Sequence, residues 1–426
     1  MATSTKKASV EVVMNIAAAT SPRFSSDGSH FVADVGLLEK GRSLVLDGRE
    51  IFHGTQHIIH YAIAPGGASV SFLSTEVLPH EEQKRTGKGS RVILVHGGKT
   101  TELDGNGEPS GLAVTPDGAH IAYSLSFSLK DASATFVDGK RFAGGIEPRL
   151  LTLSNDGKRW AMAHSVDRHG NGETVTVDGV KGPRHGAIWG LTFSPDGKHV
   201  AYKAVKLKGE GATLVVDGQI SPRYTDVDDT IGFTADGRVV APARRQTGAV
   251  VVVGTTDHAV GRAREWIIAG NTVAWLDEAA EKDRRIARAV VDGVEVYRED
   301  AGLFNRMADH GPSISGLVVA PSGKRIAFWT QKGVHVVDVG QGDRIVAAAG
   351  SPLAFDAAAH RLAVEIHANG NTGVDVLTVD GAPAVTAGPH FASPWQLFAE
   401  TVRFRDGGLH FFGKRGNDLV RVKVPD

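Results

Sequence analysis

"LTFSPDGKHVAYKAVKLKGEGATLVVDGQ" occupies residues 191–219. An apolar run leads into "SPDG". A second apolar run and a polar loop follow, and a third run ends in "VDG". "SPDG" spells a β-turn: Pro195 presets φ, Asp196 hydrogen-bonds locally and Gly197 relieves crowding at the exit. Runs of Val, Ala, Tyr and Leu bounded by Gly, Pro and Asp predict strands. The alternation in Val200-Ala201-Tyr202-Lys203 predicts a strand with one face inward.

The pattern recurs along the chain, the signature of a repeat architecture. "PRFSSDG" (22–28), "LAVTPDG" (112–118), "LTLSNDG" (151–157), "IGFTADG" (231–237) and "VRFRDG" (402–407) match it. "YAIAPGG" (61–67) and "LVVAPSG" (317–323) are degraded copies, and "WIIAGN" (266–271) and "LAFDAAAH" (353–360) match by position. Second runs such as "HIAYSL", "RWAMAH", "RIAFWT" and "RLAVEI" follow. Third runs end in "TFVDG" (135–139), "VTVDG" (175–179), "AVVDG" (289–293), "LTVDG" (377–381) and "LVLDG" (44–48). A short fourth run leads into the next copy. The unit is about forty residues with four strands, A to D. "LDEAAEKDRRIAR" (276–288) has helical composition and is read as a B–C insertion holding a helical turn.

Residues 191–218 resemble the TolB-like and tricorn-type repeats of the WD-like β-propellers, whose hairpin reads F-S-P-D-G-K-x-[IV]-A-[FY]. The resemblance covers nearly the whole chain and implies one four-stranded blade per repeat. It implies nothing specific about function, because the motif residues form turns. "SNDGKRW" (154–160) is close to a sialidase Asp box but lacks the residue between Asp and Gly.

The fold class expected is therefore all-β, a propeller of about ten blades over residues 1–426. Blades start near residues 21, 60, 111, 150, 190, 230, 266, 316, 353 and 401. The last copy has strands A to C only. Residues 9–16 resemble a D strand, so the N-terminus is expected to complete the last blade and close the ring. A single ring is favoured over two five-bladed rings, although ten exceeds the usual four to eight blades.

Composition narrows the function. The chain has 426 residues, a formal net charge of −1 and 41% hydrophobic residues. That balance gives no electrostatic reason to expect nucleic acid or an anionic membrane as partner. There is no cysteine, which removes disulfides, thiol nucleophiles and thiolate metal sites. No run of eighteen apolar residues and no signal-peptide core is found. A cytoplasmic location is expected, with a secreted or periplasmic one as the alternative if a leader was removed.

Propeller geometry puts the A–B and C–D turns on one face and the B–C and D–A loops on the other. The first set is stereotyped and the second varies, so binding is expected on the second face. There Pro183-Arg184-His185 and Pro222-Arg223-Tyr224 occupy matching places. Their arginines suit an anionic group or an inter-blade salt bridge. Asp226, Asp228 and Asp229 form an acidic cluster suited to calcium, a basic partner or solvent. His53, His57 and His60 fall within eight residues and are weak metal candidates. "DGNGE" (104–108) has alternating ligands but lacks the distal Glu of a calcium loop. No cofactor is predicted, and calcium or another divalent ion is the exception left open.

There is no G-x-S-x-G elbow, P-loop or dinucleotide fingerprint. The expected function is a non-enzymatic scaffold that binds a protein, peptide or other ligand on the variable face. The alternative is an enzyme with a channel site, of the metal-dependent hydrolase, lactonase or lyase type.

Overall fold

The computed structural model describes residues 8–425 except 17–21, 26, 38–40, 55–56, 64–69, 88, 104–106, 128–132, 144–145, 168, 170, 208–210, 283, 304–313, 369–370, 381–384, 387–389 and 393–394. The described chain is almost wholly antiparallel β-structure in ten successive sheets. Each sheet follows the hairpin order A, B, C, D, so the ten repeats fold as blades of the β-propeller class. The fifth is representative: strand A is Ala187–Phe193, B is Val200–Val205, C is Ala212–Val216 and D is Gln219–Ile220. No helix among the described residues is long and apolar enough to cross a membrane.

The tenth sheet takes its last strand from the N-terminus. Ser9–Asn15 runs antiparallel to Asp418–Pro425, with Ser9 opposite Lys423 and Asn15 opposite Asp418. Asn15 Nδ2 donates to Asp418 Oδ1 at 3.2 Å. This pairing covers backbone groups that Asp418–Pro425 would otherwise expose at a sheet edge.

The chain packs as two compact units. Residues 16–233 hold sheets one to five and two short strands, Asp226–Val227 and Gly232–Phe233. Residues 1–15 with 234–426 hold the sixth-sheet strands Val239–Arg245, Gly248–Val253 and Thr256–Val260, and sheets seven to ten.

The spacing of "SPDG" and "VDG" has a mechanical cause. Ser194 Oγ donates to Asp196 Oδ1 at 2.6 Å and accepts the His199 N–H at 2.9 Å, which locks the A–B turn. Asp217, in the C–D turn, then reaches back. Its Oδ1 accepts the Val200 N–H at 2.9 Å, and its Oδ2 lies 2.6 Å from His199 Nδ1. The motifs therefore clamp two neighbouring hairpin turns together. The same clamp joins Asp47 to Phe31, Asp138 to Ile121 and Asp178 to Trp160. These aspartates have φ near +50° and the following glycines φ near +80°. That is the type I′ geometry, whose twist matches the flanking strands.

The core lies between successive sheets within each unit. Ala161, Ala163 and Val175 of sheet four pack with Ile188, Val200, Tyr202 and Val215 of sheet five. Strand B is therefore buried on both faces, which corrects the one-face expectation. Val200, Ala201 and Tyr202 are all buried. The alanine recurs as Ala122, Ala161, Ala201, Ala327 and Ala363, each at 0% exposure. A small residue on one face and a large one on the other suits sheets stacked about 10 Å apart.

The described residues of 276–288 hold no helical turn. They belong to a long hairpin, Thr272–Glu281 and Arg284–Val291. Cross-strand charge decides the matter: Asp277 sits opposite Arg288 and binds it, and Glu281 sits opposite Arg284. Opposite charges facing across a ladder favour the strand. A helix, α1 (His80–Thr86), instead fills the B–C loop of sheet two. Glu81 and Glu82 are in its first turn, Lys84 and Arg85 in its last, and Gly87 caps it at φ +69°. That is the charge and capping order a helix prefers.

Candidate functional site

The best-described part of the variable face lies in residues 16–233. Strand A of sheets three, five and eight carries a β-bulge at or beside a glycine: Gly111, Gly190 and Gly316. Gly190 has φ +62°, and a Cβ there would collide with the Asp229 carbonyl. A bulge re-aims its neighbours. The residue before the glycine, two positions ahead of the strand-A leucine, is Ser110, Trp189 and Ser315 in these copies, and Arg149 holds that place in sheet four.

Arg149 and Trp189 meet. The Arg149 guanidinium lies over the Trp189 ring, 4.6 Å from its centroid. Its Nε is 3.1 Å from Glu173 Oε1, and one terminal nitrogen donates to the Ile188 carbonyl at 3.1 Å. Glu173 opens strand C of sheet four, Glu173–Val177, and its other oxygen accepts the Ile188 N–H at 2.7 Å. Arg149 is thus fixed from three sides. Trp189 remains 40% exposed, a large apolar surface beside charge.

Lys203 is the register partner of Trp189 across strands A and B. Its ammonium lies 3.0 Å from Asp226 and 2.9 Å from Asp229. Burial alone would lower the Lys203 pKa, but the hydrogen bonds and charges of Asp229 and Asp226 more than offset that and raise it. Lys203 is therefore charged at neutral pH. Asp228 turns away and accepts the Thr230 N–H at 2.8 Å. The acidic segment read from sequence is a clasp on a lysine at two of its three members.

Arg184 and Arg223 take matching positions. Arg184 lies next to the end of strand D of sheet four, Val180–His185, and donates to the Asn171 carbonyl. Its Nε would lie 3.3 Å from a Cβ on Gly172, and Arg223 Nε 2.7 Å from one on Gly211. Each arginine thus lies over the glycine that leads into strand C of its own sheet.

His185 and Tyr224 are packing residues. The His185 ring meets Tyr202 at 5.8 Å, as Phe52 meets Phe72, Phe142 meets Trp160, His258 meets Trp275 and Tyr297 meets Phe328. In each pair a strand-D ring packs on a strand-B ring of the next sheet. His185 Nε2 is buried with no hydrogen-bond partner among the described residues, and burial lowers its pKa. Tyr224 is 3% exposed and bridges to the Ala212 backbone.

His53 lies on Arg49–Gly54, with Ser43 Oγ at 2.8 Å and Glu50 at 3.7 Å. His57 and His60 lie on the next strand, His57–Ile63, in sheet two. Among the described residues no three His, Cys, Asp or Glu side chains converge as a metal set. Residues 104–106 of "DGNGE" and 208–210 of "KLKGEG" lie outside the described residues.

Sequence reasoning missed Arg149, Glu173, Trp189 and Lys203. The signal was available at one repeat position, where serine in two copies gives way to arginine and tryptophan in adjacent ones.

No family model matches the sequence, and no curated protein matches it. Solved structures are similar at low sequence identity. A eukaryotic initiation factor is 9% identical over 88% of this chain and 89% of its own, with a TM-score of 0.44. The β-propeller domain of the trilobed protease from Pyrococcus furiosus is 12% identical over 76% and 95%, with a TM-score of 0.32. TolB from Acinetobacter baumannii is 15% identical over 64% and 63%, with a TM-score of 0.28.

Proposed function

We propose that the protein is a non-enzymatic binding propeller that takes a protein or peptide partner on its B–C and D–A face, centred on Trp189. The observation that supports this most is the pairing of an exposed tryptophan with an immobilised arginine. Tryptophan and arginine are the side chains most enriched where interface energy concentrates. Trp189 offers a rigid apolar surface. Arg149, already held by Glu173 and the Ile188 carbonyl, loses little freedom on binding.

The surrounding charges fit recognition better than proton transfer. A general acid or base works best with a pKa near the operating pH. Lys203 is pushed the other way by its two carboxylates. Asp226 and Asp229 remain largely exposed beside it, and together the three form a polar rim that can set the register of a partner.

Peptides selected from a random display library on the full chain test the proposal. Their binding should weaken about tenfold or more in Trp189→Ala, the loss expected of a central anchor. Selected peptides that bind Trp189→Ala and the parent protein equally would remove the support.

A further inference from the structure

The sixth and seventh sheets depart from the repeat at three places that meet in one cleft. In sheets one, three, four and five the clamp aspartate also binds a basic side chain just before strand B. Asp47 pairs with His30 at 2.5 Å, Asp138 with His120 at 2.8 Å, Asp178 with Arg159 at 2.9 Å and Asp217 with His199 at 2.6 Å. In sheet seven that place is Thr272. Asp292 Oδ1 still accepts the Val273 N–H at 2.9 Å. Among the described residues its Oδ2 has no partner.

The second departure is the C–D turn of sheet six. It reads Gly254-Thr255 where sheets one, three, four, five and seven read Asp-Gly, so no clamp carboxylate stands there. The third is His258, an imidazole, as at His185, where sheets one, three and seven place Phe52, Phe142 and Tyr297. Where Phe142 lays a hydrocarbon ring on Trp160, His258 lays an imidazole on Trp275, with centroids 5.5 Å apart. Its ring nitrogens have no hydrogen-bond partner among the described residues.

These changes leave a cavity of about 370 Å³ lined by Arg238, Val253, Gly254, Thr256, His258 and Asp292. Sites for small molecules start at about 300 Å³. Arg238 is anchored on one side only. Its Nε donates to Asp236 Oδ2 at 3.0 Å, and one terminal nitrogen donates to the Asn271 carbonyl at 2.6 Å. The other terminal nitrogen has no partner among the described residues. The cavity therefore presents a positioned guanidinium, an unpaired carboxylate oxygen, an unpaired imidazole and the buried side chain of Val253.

We infer that this cleft binds a free α-amino acid. Its ammonium binds Asp292 Oδ2, its carboxylate binds Arg238, and its side chain lies against Val253 and the His258 ring. A simple anion would be opposed by Asp292 and a simple cation by Arg238, so only a molecule carrying both charges matches the lining. The site is separate from the Trp189 surface and stands or falls independently of it.

Calorimetric titration of the full chain with the twenty amino acids tests this, with acetate and methylammonium as single-charge probes. At least one amino acid should saturate with a Kd of about 1 mM or tighter, and both single-charge probes should bind at least tenfold more weakly. Asp292→Asn keeps an oxygen for Val273 and should weaken the amino acid at least tenfold, as should Arg238→Gln. Thr256→Trp fills the cleft from an exposed position, leaves both charges in place and should abolish binding. Where a charge variant fails to fold, Thr256→Trp decides. Absence of saturable binding by any amino acid, equal binding of a single-charge probe, or undiminished binding by folded Thr256→Trp would each overturn the inference.

Discussion

His185 and Tyr202 meet edge-on, with ring centroids 5.8 Å apart and planes 68° apart. The pair occupies a place that Phe142 and Trp160 fill one sheet earlier. An imidazole therefore does the packing work of a phenyl ring, and burial pushes its pKa below the ordinary value of 6.5.

That substitution makes stability depend on pH. The unfolded chain takes up a proton near pH 6.5, whereas folded His185 takes it up only at lower pH. The unfolded state thus binds more protons in this window, and stability falls as pH drops below about 6.5. His185→Phe should retain the melting temperature at pH 8 and show a shallower fall between pH 7 and 5 than the parent. Parallel melting curves for the two proteins across that range would show that His185 carries no such linkage.

Asp217→Ala removes the acceptor for the Val200 N–H and places alanine at φ +49°. A lost buried hydrogen-bond partner costs about 1–3 kcal/mol, and the left-handed conformation adds about 1. Urea denaturation should therefore show a loss of about 2–4 kcal/mol. Asp217→Asn should lose less, since it keeps an oxygen and tolerates the conformation. Lys198→Ala, on the exposed rim of the neighbouring A–B turn, should stay within about 0.5 kcal/mol.

Gly190→Ala should cost more than Gly218→Ala. Both glycines have positive φ, but a Cβ at 218 meets nothing within 4 Å, whereas one at 190 collides with the Asp229 carbonyl. Gly218→Ala carries the conformational cost alone, about 1–2 kcal/mol. Gly190→Ala must also displace residues 226–229, and amide exchange there should quicken. Equal destabilisation of the two variants would contradict the close approach.

Asp196 titrates at about 2, held down by the Ser194 hydroxyl and the Lys198 N–H. Its folded pKa is depressed, so its contribution is present above the unfolded value near 3.9 and is lost as pH falls toward 2. Carboxyl chemical shifts in Ser194→Ala should show Asp196 titrating closer to its ordinary value. An unchanged midpoint would show that the serine does not hold it.

Much of this architecture is local and therefore legible in the sequence. The type I′ Asp-Gly turns, the Ser-x-Asp-Gly hairpins and the missing fourth strand of the last copy depend on residues close in the chain. Cross-strand facts were not legible. The reach of Asp217 to Val200 spans 17 residues, and nothing in "VDG" announces it. The charge pairs that make a strand of 276–288 come from opposing positions, so composition pointed to helix instead. In the candidate site the arginines and aspartates drew notice because they cluster in sequence. Arg149 and Trp189 lie forty residues apart and meet only because equivalent positions of consecutive sheets stack.

The binding surface rests on Trp189, one of six tryptophans. Fluorine NMR of the 5-fluorotryptophan-labelled protein, assigned by single Trp→Phe substitutions, reads it directly as a selected peptide is added. The Trp189 resonance should shift with the peptide while those of buried Trp160 and Trp275 hold still. A saturating peptide that leaves the Trp189 resonance unmoved would contradict the account.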